Sequence, residues 1–232
     1  MAASFNGTNQ HIRTWYQPTW LATDPFTICC WMRTMSFAQG CFFGAQNTAT
    51  TARFGLFLAD SGGTLRCQVR FYDDGNAGTT RTGDVVVNDN TWRHVAVVRD
   101  PVADTINLYL NGVLDASASG SDDTTGTCTL GSRDLALGSN HTGTTWSTWL
   151  TCQLEDVGVW SSALTTAQLQ ALAADTRRHC PAINVGNLLR HWPLQGLTGL
   201  PVELPAQFPV YAAGPITWPS WGFAKAVGTR GG

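Results

Sequence analysis

The chain has 232 residues, with 14 basic against 16 acidic side chains and a net charge of −2. It is long enough to bury a sizeable core as one unit, and it lacks the basic field that nonspecific nucleic-acid binding requires. Hydrophobic residues make up 43% and charged residues 13%, so Thr, Ser, Asn, Gln and Gly must cover the surface, which suits strands joined by long loops. No stretch approaches the roughly 20 consecutive apolar residues of a membrane span. Met1-Ala2-Ala3-Ser4-Phe5 leads into the first strand without a secretory leader's pattern, so the chain is expected to fold uncleaved where it is made.

In chain order, strands are predicted near residues 2–6, 10–14, 25–34, 41–45, 53–59, 64–72, 84–87, 92–100, 105–111, 127–137 and 150–160. From Thr64 to Phe71 the alternation is clean. Leu65, Cys67, Val69 and Phe71 point one way and Thr64, Arg66, Gln68 and Arg70 the other, so one sheet has a polar outer face. Between Thr91 and Gly112 two strands meet. Asp100-Pro101 breaks the first, Ile106, Leu108 and Leu110 alternate in the second, and Asn111-Gly112 supplies the positive φ angles of a primed turn. Loops rich in Gly, Asp, Asn and Thr at 73–83 and 119–126 are where a binding surface can be built. One helix is predicted after Trp160, with Thr165 and Gln168 as a capping box and Leu169, Leu172 and Ala173 on one face. Asp175 to Pro181 ends it, with cations near the negative end of its dipole.

Trp92-Arg93-His94-Val95-Ala96-Val97 followed by Ile106-Asn107-Leu108-Tyr109-Leu110-Asn111-Gly112 resembles the central strand pair of laminin G-like and pentraxin-like jelly rolls of the concanavalin A-like superfamily. Ala3 to Ile12 resembles the opening strand and Pro25 to Met32 the next. Leu154 to Trp160 with Ala163-Leu164-Thr165 is similar to the closing strand and its short helix. The resemblance covers roughly residues 2 to 174. It implies an all-β, two-sheet antiparallel jelly-roll sandwich with one short helix, and it says little about function.

Residues 1–180 are thus assigned to the jelly roll and 181–232 to an extended C-terminal arm. Seven of the ten prolines lie between Pro181 and Pro219, in the company of Trp192, Phe208, Tyr211, Trp218, Trp221 and Phe223, and only four charged residues occur from Pro181 to the end. Such a segment runs extended and seeks a surface to lie on, so these six aromatics are candidate partner-binding residues. Asn187 to Leu194 resembles a strand and can add to the sandwich before the arm begins. The seven cysteines, an odd count without paired metal spacing, read as reduced thiols packed as small hydrophobes; Cys128 with Cys152 is the alternative disulfide pairing.

Glu155 and Asp156 are the obvious carboxylates for glycoside hydrolysis, but strand neighbours point to opposite faces, and the Glu-x-Asp-x-x-Glu spacing of the superfamily's β-glucanases is missing. His94 reads as a structural histidine. Neither a nucleophile elbow nor a nucleotide fingerprint occurs, and Asn6-Gly7-Thr8 and Asn140-His141-Thr142 read as fortuitous glycosylation patterns. Many modules of the resembled families bind calcium, and Asp73, Asp74, Asn76, Asp122, Asp123 and Asp156 form the pool of oxygen ligands for it; no other cofactor is expected. The favoured function is a non-catalytic virion component, a bacteriophage capsid decoration or cementing protein assembled in the host cytoplasm, whose arm contacts capsid proteins or neighbouring copies. The alternative is an extracellular carbohydrate-binding module using Asn140, His141, Trp146 and Trp149. A spacing of three places those two tryptophans on one side only if a bulge intervenes; otherwise one ring is core and the other rim.

Overall fold

The computed structural model describes residues 2–60, 62–143, 145–175, 185–194 and 202–203. Its strands are β1 (Ala3–Asn6), β2 (Ile12–Arg13), β3 (Thr19–Trp20), β4 (Phe26–Arg33), β5 (Gly40–Gln46), β6 (Arg53–Asp60), β7 (Leu65–Tyr72), β8 (Gly78–Val86) and β9 (Arg93–Asp100). There follow β10 (Thr105–Leu110), β11 (Val113–Ser121), β12 (Cys128–Thr129), β13 (Ala136–Leu137), β14 (Asn140–Thr142), β15 (Thr145–Ser147) and β16 (Thr151–Trp160). Helix α1 (Thr166–Ala174), a single 3-10 turn, β17 (Leu188–Trp192) and β18 (Val202–Glu203) complete the order. Sheet A runs β1-β16-β4-β9-β10-β11, with β17 also on β16. Sheet B runs β18-β2-β13-β5-β6-β7-β8, with the β14–β15 hairpin on β5. This is the expected jelly-roll sandwich.

Alternation builds the core. Leu65, Cys67, Val69 and Phe71 of β7 meet Ile28, Cys30 and Met32 of β4 and Val95 and Val97 of β9 in one buried cluster. At its centre Trp20, Phe26, Phe54 and Phe71 pack with ring centroids 4.7 to 6.1 Å apart, mostly edge to face, as aromatic quadrupoles prefer. Arg99 is buried beside Phe71, and all five of its N–H donors are satisfied. Nε donates to Asp122 Oδ2, Nη1 to the carbonyls of Leu21 and Asp24, and Nη2 to the Ala22 carbonyl and Thr124 Oγ1. A second apolar layer lies on the outer side of sheet A, where Leu164, Leu169 and Leu172 cover Cys29, Ala96, Val98 and Tyr109. The helix begins at the expected capping box of Thr165 and Gln168. Arg177 and Arg178 lie outside the described residues.

Several boundaries differ from expectation. The strand expected at 84–87 begins at Gly78, within the segment read as a loop, and the strand expected at 127–137 is interrupted into β12 and β13. Strands β3, β11, β14, β15 and β18 are additions to the expected set, and β18 pairs with β2. In β11 the sequence Val-Leu-Asp-Ala-Ser-Ala-Ser-Gly-Ser carries few strand formers; as an edge strand it takes its ladder from β10 alone, with a register shift between Ile106 and Leu108.

The strand expected within Asn187 to Leu194 forms, and it moves the boundary set at 180. Along one edge of β16, β1 pairs with Thr151 to Leu154 and β17 with Val157 to Trp160, so β17 takes up hydrogen-bonding groups that β1 leaves open. Trp192 is accordingly a core residue, 3% exposed, and not an arm residue free for a partner. Cys29, Cys30, Cys41, Cys67, Cys128 and Cys152 are buried free thiols. Cys128 and Cys152 are among these free thiols, so the alternative Cys128–Cys152 disulfide is not present.

Candidate functional site

The outer face of sheet B carries the most organised set of accessible polar groups. Arg66, Gln68, Arg70 and Tyr72 alternate with core residues along β7, which is the polar face the sequence predicts. Across the sheet Arg70 lies opposite Thr80 on one side and Gly55 on the other, and Gly55 lies opposite Gly44, which neighbours Asn140. Gly55 is required here. A Cβ on it would sit 2.3 Å from a ring carbon of Phe57, so its bareness lets the Phe57 ring lie flat on the strand. The Arg70 guanidinium then stacks on that ring at 4.4 Å from the centroid. Its Nε donates to Gln68 Oε1 at 2.6 Å, and Gln68 Nε2 donates to Thr82 Oγ1 at 2.7 Å. Beside it the Arg53 guanidinium stacks on Tyr72 at 3.6 Å, and the Tyr72 hydroxyl bonds Thr80 Oγ1 at 3.0 Å. Among the described residues neither arginine pairs with a carboxylate. The result is a flat surface of two braced guanidinium groups, an amide and hydroxyls. The sequence signal for it was a glycine inside a strand between Phe54 and Phe57.

The four residues of the alternative sugar site do not share a face. His141 lies opposite Ala45, a core residue, and opposite Trp146 in the β14–β15 hairpin, so both rings face the inner side while Asn140 and Thr142 face out. Asn140 Nδ2 donates to Thr142 Oγ1 at 3.0 Å. Both faces of Trp146 are covered, by His11 at 4.0 Å and by His141 at 4.1 Å between centroids, which leaves no face for a sugar. Trp149 reaches the same His11 at 5.7 Å because Thr148, at φ 54°, supplies the kink that the spacing of three demands. The expected division into one core ring and one rim ring is therefore replaced by two half-buried rings converging on a histidine.

Asp134 anchors this corner. Its carboxylate accepts from Arg13 Nε at 3.2 Å and from the backbone of Thr14 and Trp15 at 3.1 and 3.3 Å, and it lies 3.2 Å from His141 Nδ1. Burial pushes its carboxyl up, but His141, the Trp15 amide and Arg13 outweigh that and hold it below the usual range.

The proposed calcium ligands are occupied elsewhere and dispersed. Asp73 Oδ1 accepts from Gly75 and Ala77 and Oδ2 from Thr125 and Gly126, which knits two loops together. These bonds lower its carboxyl against the opposing effect of burial. Asp74 accepts from the Thr129 amide, Asn76 from Arg53, Asp122 from Arg99 and Asp123 from Arg81. Asp156 sits at a bulge of β16 with φ 53°, bonded to His191. No group of three His, Cys, Asp or Glu side chains gathers among the described residues. Glu155 and Asp156 are both buried, which withholds them from any open cleft. Phe208, Tyr211, Trp218, Trp221 and Phe223 lie outside the described residues.

A family model described as the concanavalin A-like lectin/glucanases superfamily matches residues 6–170. The chain belongs to that superfamily. No curated protein matches it. Among solved members of this fold, a heptameric SAP-like pentraxin from Limulus polyphemus is 20% identical, with a TM-score of 0.57, covering 74% of this chain and 80% of that one. A putative carbohydrate binding protein from Bacteroides ovatus is 18% identical, TM-score 0.58, with 84% and 51% covered. The enzymatically active domain of tailspike protein 2 of bacteriophage CBA120 is 10% identical, TM-score 0.55, with 85% and 30% covered. At these identities the superfamily likeness establishes the sandwich and leaves the ligand to the side chains.

Proposed function

We propose that this chain is a non-catalytic carbohydrate-binding module that receives glycan on the outer face of sheet B. The observation that carries the reading is the pair of guanidinium groups laid flat on Phe57 and Tyr72. Planar donors held in place beside amides and hydroxyls suit the hydroxyl arrays of sugars, and preorganisation lowers the entropy cost of binding. The outer side chains of β6 and β7 include no carboxylate, and the β8 carboxylate Asp84 is engaged by Arg66 at 3.4 Å, which does not supply the pair of carboxyl groups that glycoside hydrolysis needs. The description of the Bacteroides ovatus protein as carbohydrate-binding supports the same class.

The test is a glycan array followed by calorimetry with wild type, Arg70→Ala and Tyr72→Ala. Wild type should bind at least one glycan. Each variant should lose about tenfold, as expected for about 1.4 kcal/mol, with little change in melting temperature. Retention of full affinity by both variants would move the site off this face.

A virion role is the second reading, supported by the fold shared with a phage tailspike domain and by the aromatic, proline-rich composition of 204–232. In that reading the arm joins the module to neighbouring copies or capsid proteins. Removing 204–232, which leaves every described element in place, should then abolish assembly while sugar binding persists.

A further inference from the structure

The outer side of sheet A carries a second organised rung, far from α1 along the strands. Ser4 lies opposite Gln153, Gln153 opposite Arg33, and Trp92 follows as the neighbour of Arg33 on the next strand. The core holds the alternate residues Ala3, Phe5, Met32 and Leu154, so these four side chains face outward. An open cavity of about 270 Å³ is lined by Ser4, Arg33 and Gln153, together with Thr34, Met35 and Asn90.

We propose that this cavity is a second saccharide site, one that takes the carboxylate of an acidic sugar, an inference that rests on the glycan-binding reading for its class of ligand. Arg33 is held from two sides. Its Nε and Nη2 donate to the single oxygen Gln153 Oε1 at 2.9 and 2.5 Å, Gln153 Nε2 donates to Ser4 Oγ at 3.2 Å, and the Trp92 ring lies 5.3 Å from the guanidinium carbon. Nη1 and one Nη2 hydrogen therefore have no acceptor among the described residues, and together they form the edge that engages a planar carboxylate bidentately. Unlike Arg13, Arg66, Arg81, Arg93 and Arg99, Arg33 has no acidic partner among the described residues. Among those residues no acid borders the cavity; Asp89, next to Asn90, is turned onto Arg93 Nη2 at 2.6 Å. Arg33 is also the sole cation that the described residues place on its wall, which matches one planar, singly charged anion. The volume is near the lower end of ligand pockets and suits one sugar ring. Met35 and Phe37, 67% and 71% exposed on the adjoining segment, offer apolar surface for that ring.

The experiment titrates the full chain with glucuronate, its neutral methyl ester, glucose and acetate, reading the Arg Nε–H resonances by NMR and affinity by calorimetry. Glucuronate should bind and shift the Arg33 resonance. The ester and glucose should bind at least tenfold more weakly, as should acetate, which lacks the ring. Arg33→Gln should lose glucuronate at least tenfold. Gln153→Glu, which hands Arg33 a carboxylate of its own and keeps the fold if the first variant does not, should lose it as well. Equal binding of glucuronate by wild type and both variants overturns the subsite, and so does its failure to bind wild type. Acetate binding as tightly as glucuronate overturns the assignment to a saccharide. None of these results moves the Arg70 face, whose glycan binding is read separately with Arg70→Ala and Tyr72→Ala.

Discussion

Asp134 shows how one residue settles a corner that its sequence neighbourhood leaves open. It is fully buried, yet it is charged because Arg13, the Thr14 and Trp15 amides and His141 surround it. Replacing it with Asn removes charge-assisted bonds and should cost about 2 kcal/mol in urea unfolding. Its folded carboxyl titrates below the ordinary value of 3.8, so its stabilisation is complete above about pH 5 and is lost as pH falls through the lower folded value. Asp134→Asn should therefore be less acid-sensitive than wild type below about pH 5 while being weaker at neutral pH. None of this was legible beforehand, because Arg13 lies 121 residues from Asp134 in the chain.

The β10–β11 hairpin, which forms one end of sheet A, was legible in its turn and its first strand. Asn111 and Gly112 adopt φ 51° and 73°, the primed turn read from the dipeptide. The second strand was not legible, since a run of Ser, Ala and Gly becomes a strand only when β10 offers a ladder and β8 closes the edge, where the Asp84 amide donates to Asp115 Oδ1 at 3.2 Å. Gly112→Ala tests the turn. The added Cβ would sit 2.7 Å from Gln170 Cα in α1 on top of the positive φ, so a loss of about 2–3 kcal/mol, measured as a lower urea midpoint, is expected. On the outer face of sheet B the alternation of β7 was legible, whereas the stacking of Arg70 on Phe57 over Gly55 requires the register between strands.

At the scale of the molecule, the thiols report on cooperativity. Burial pushes Cys128 and Cys152 up to about 12 and raises Cys30, Cys41 and Cys67 as well. The thiolate, the reactive form, is thus negligible at about pH 8. These five should remain unlabelled by a disulfide exchange reagent in native buffer and react together at the urea midpoint, since all are buried and four of them, Cys30, Cys67, Cys128 and Cys152, share one core. Chain-local chemistry alone determined the strands, their turns and one capped helix, because side-chain alternation, turn dipeptides and capping pairs act within a few residues, while the two-sheet sandwich was implied by the family resemblance. Which rings cover one another, where Asn140 parts from His141, and how β17 draws Trp192 out of the arm and into the core were decided by tertiary structure. Those outcomes depend on which strand lies beside which, and that follows from packing between residues far apart in the chain.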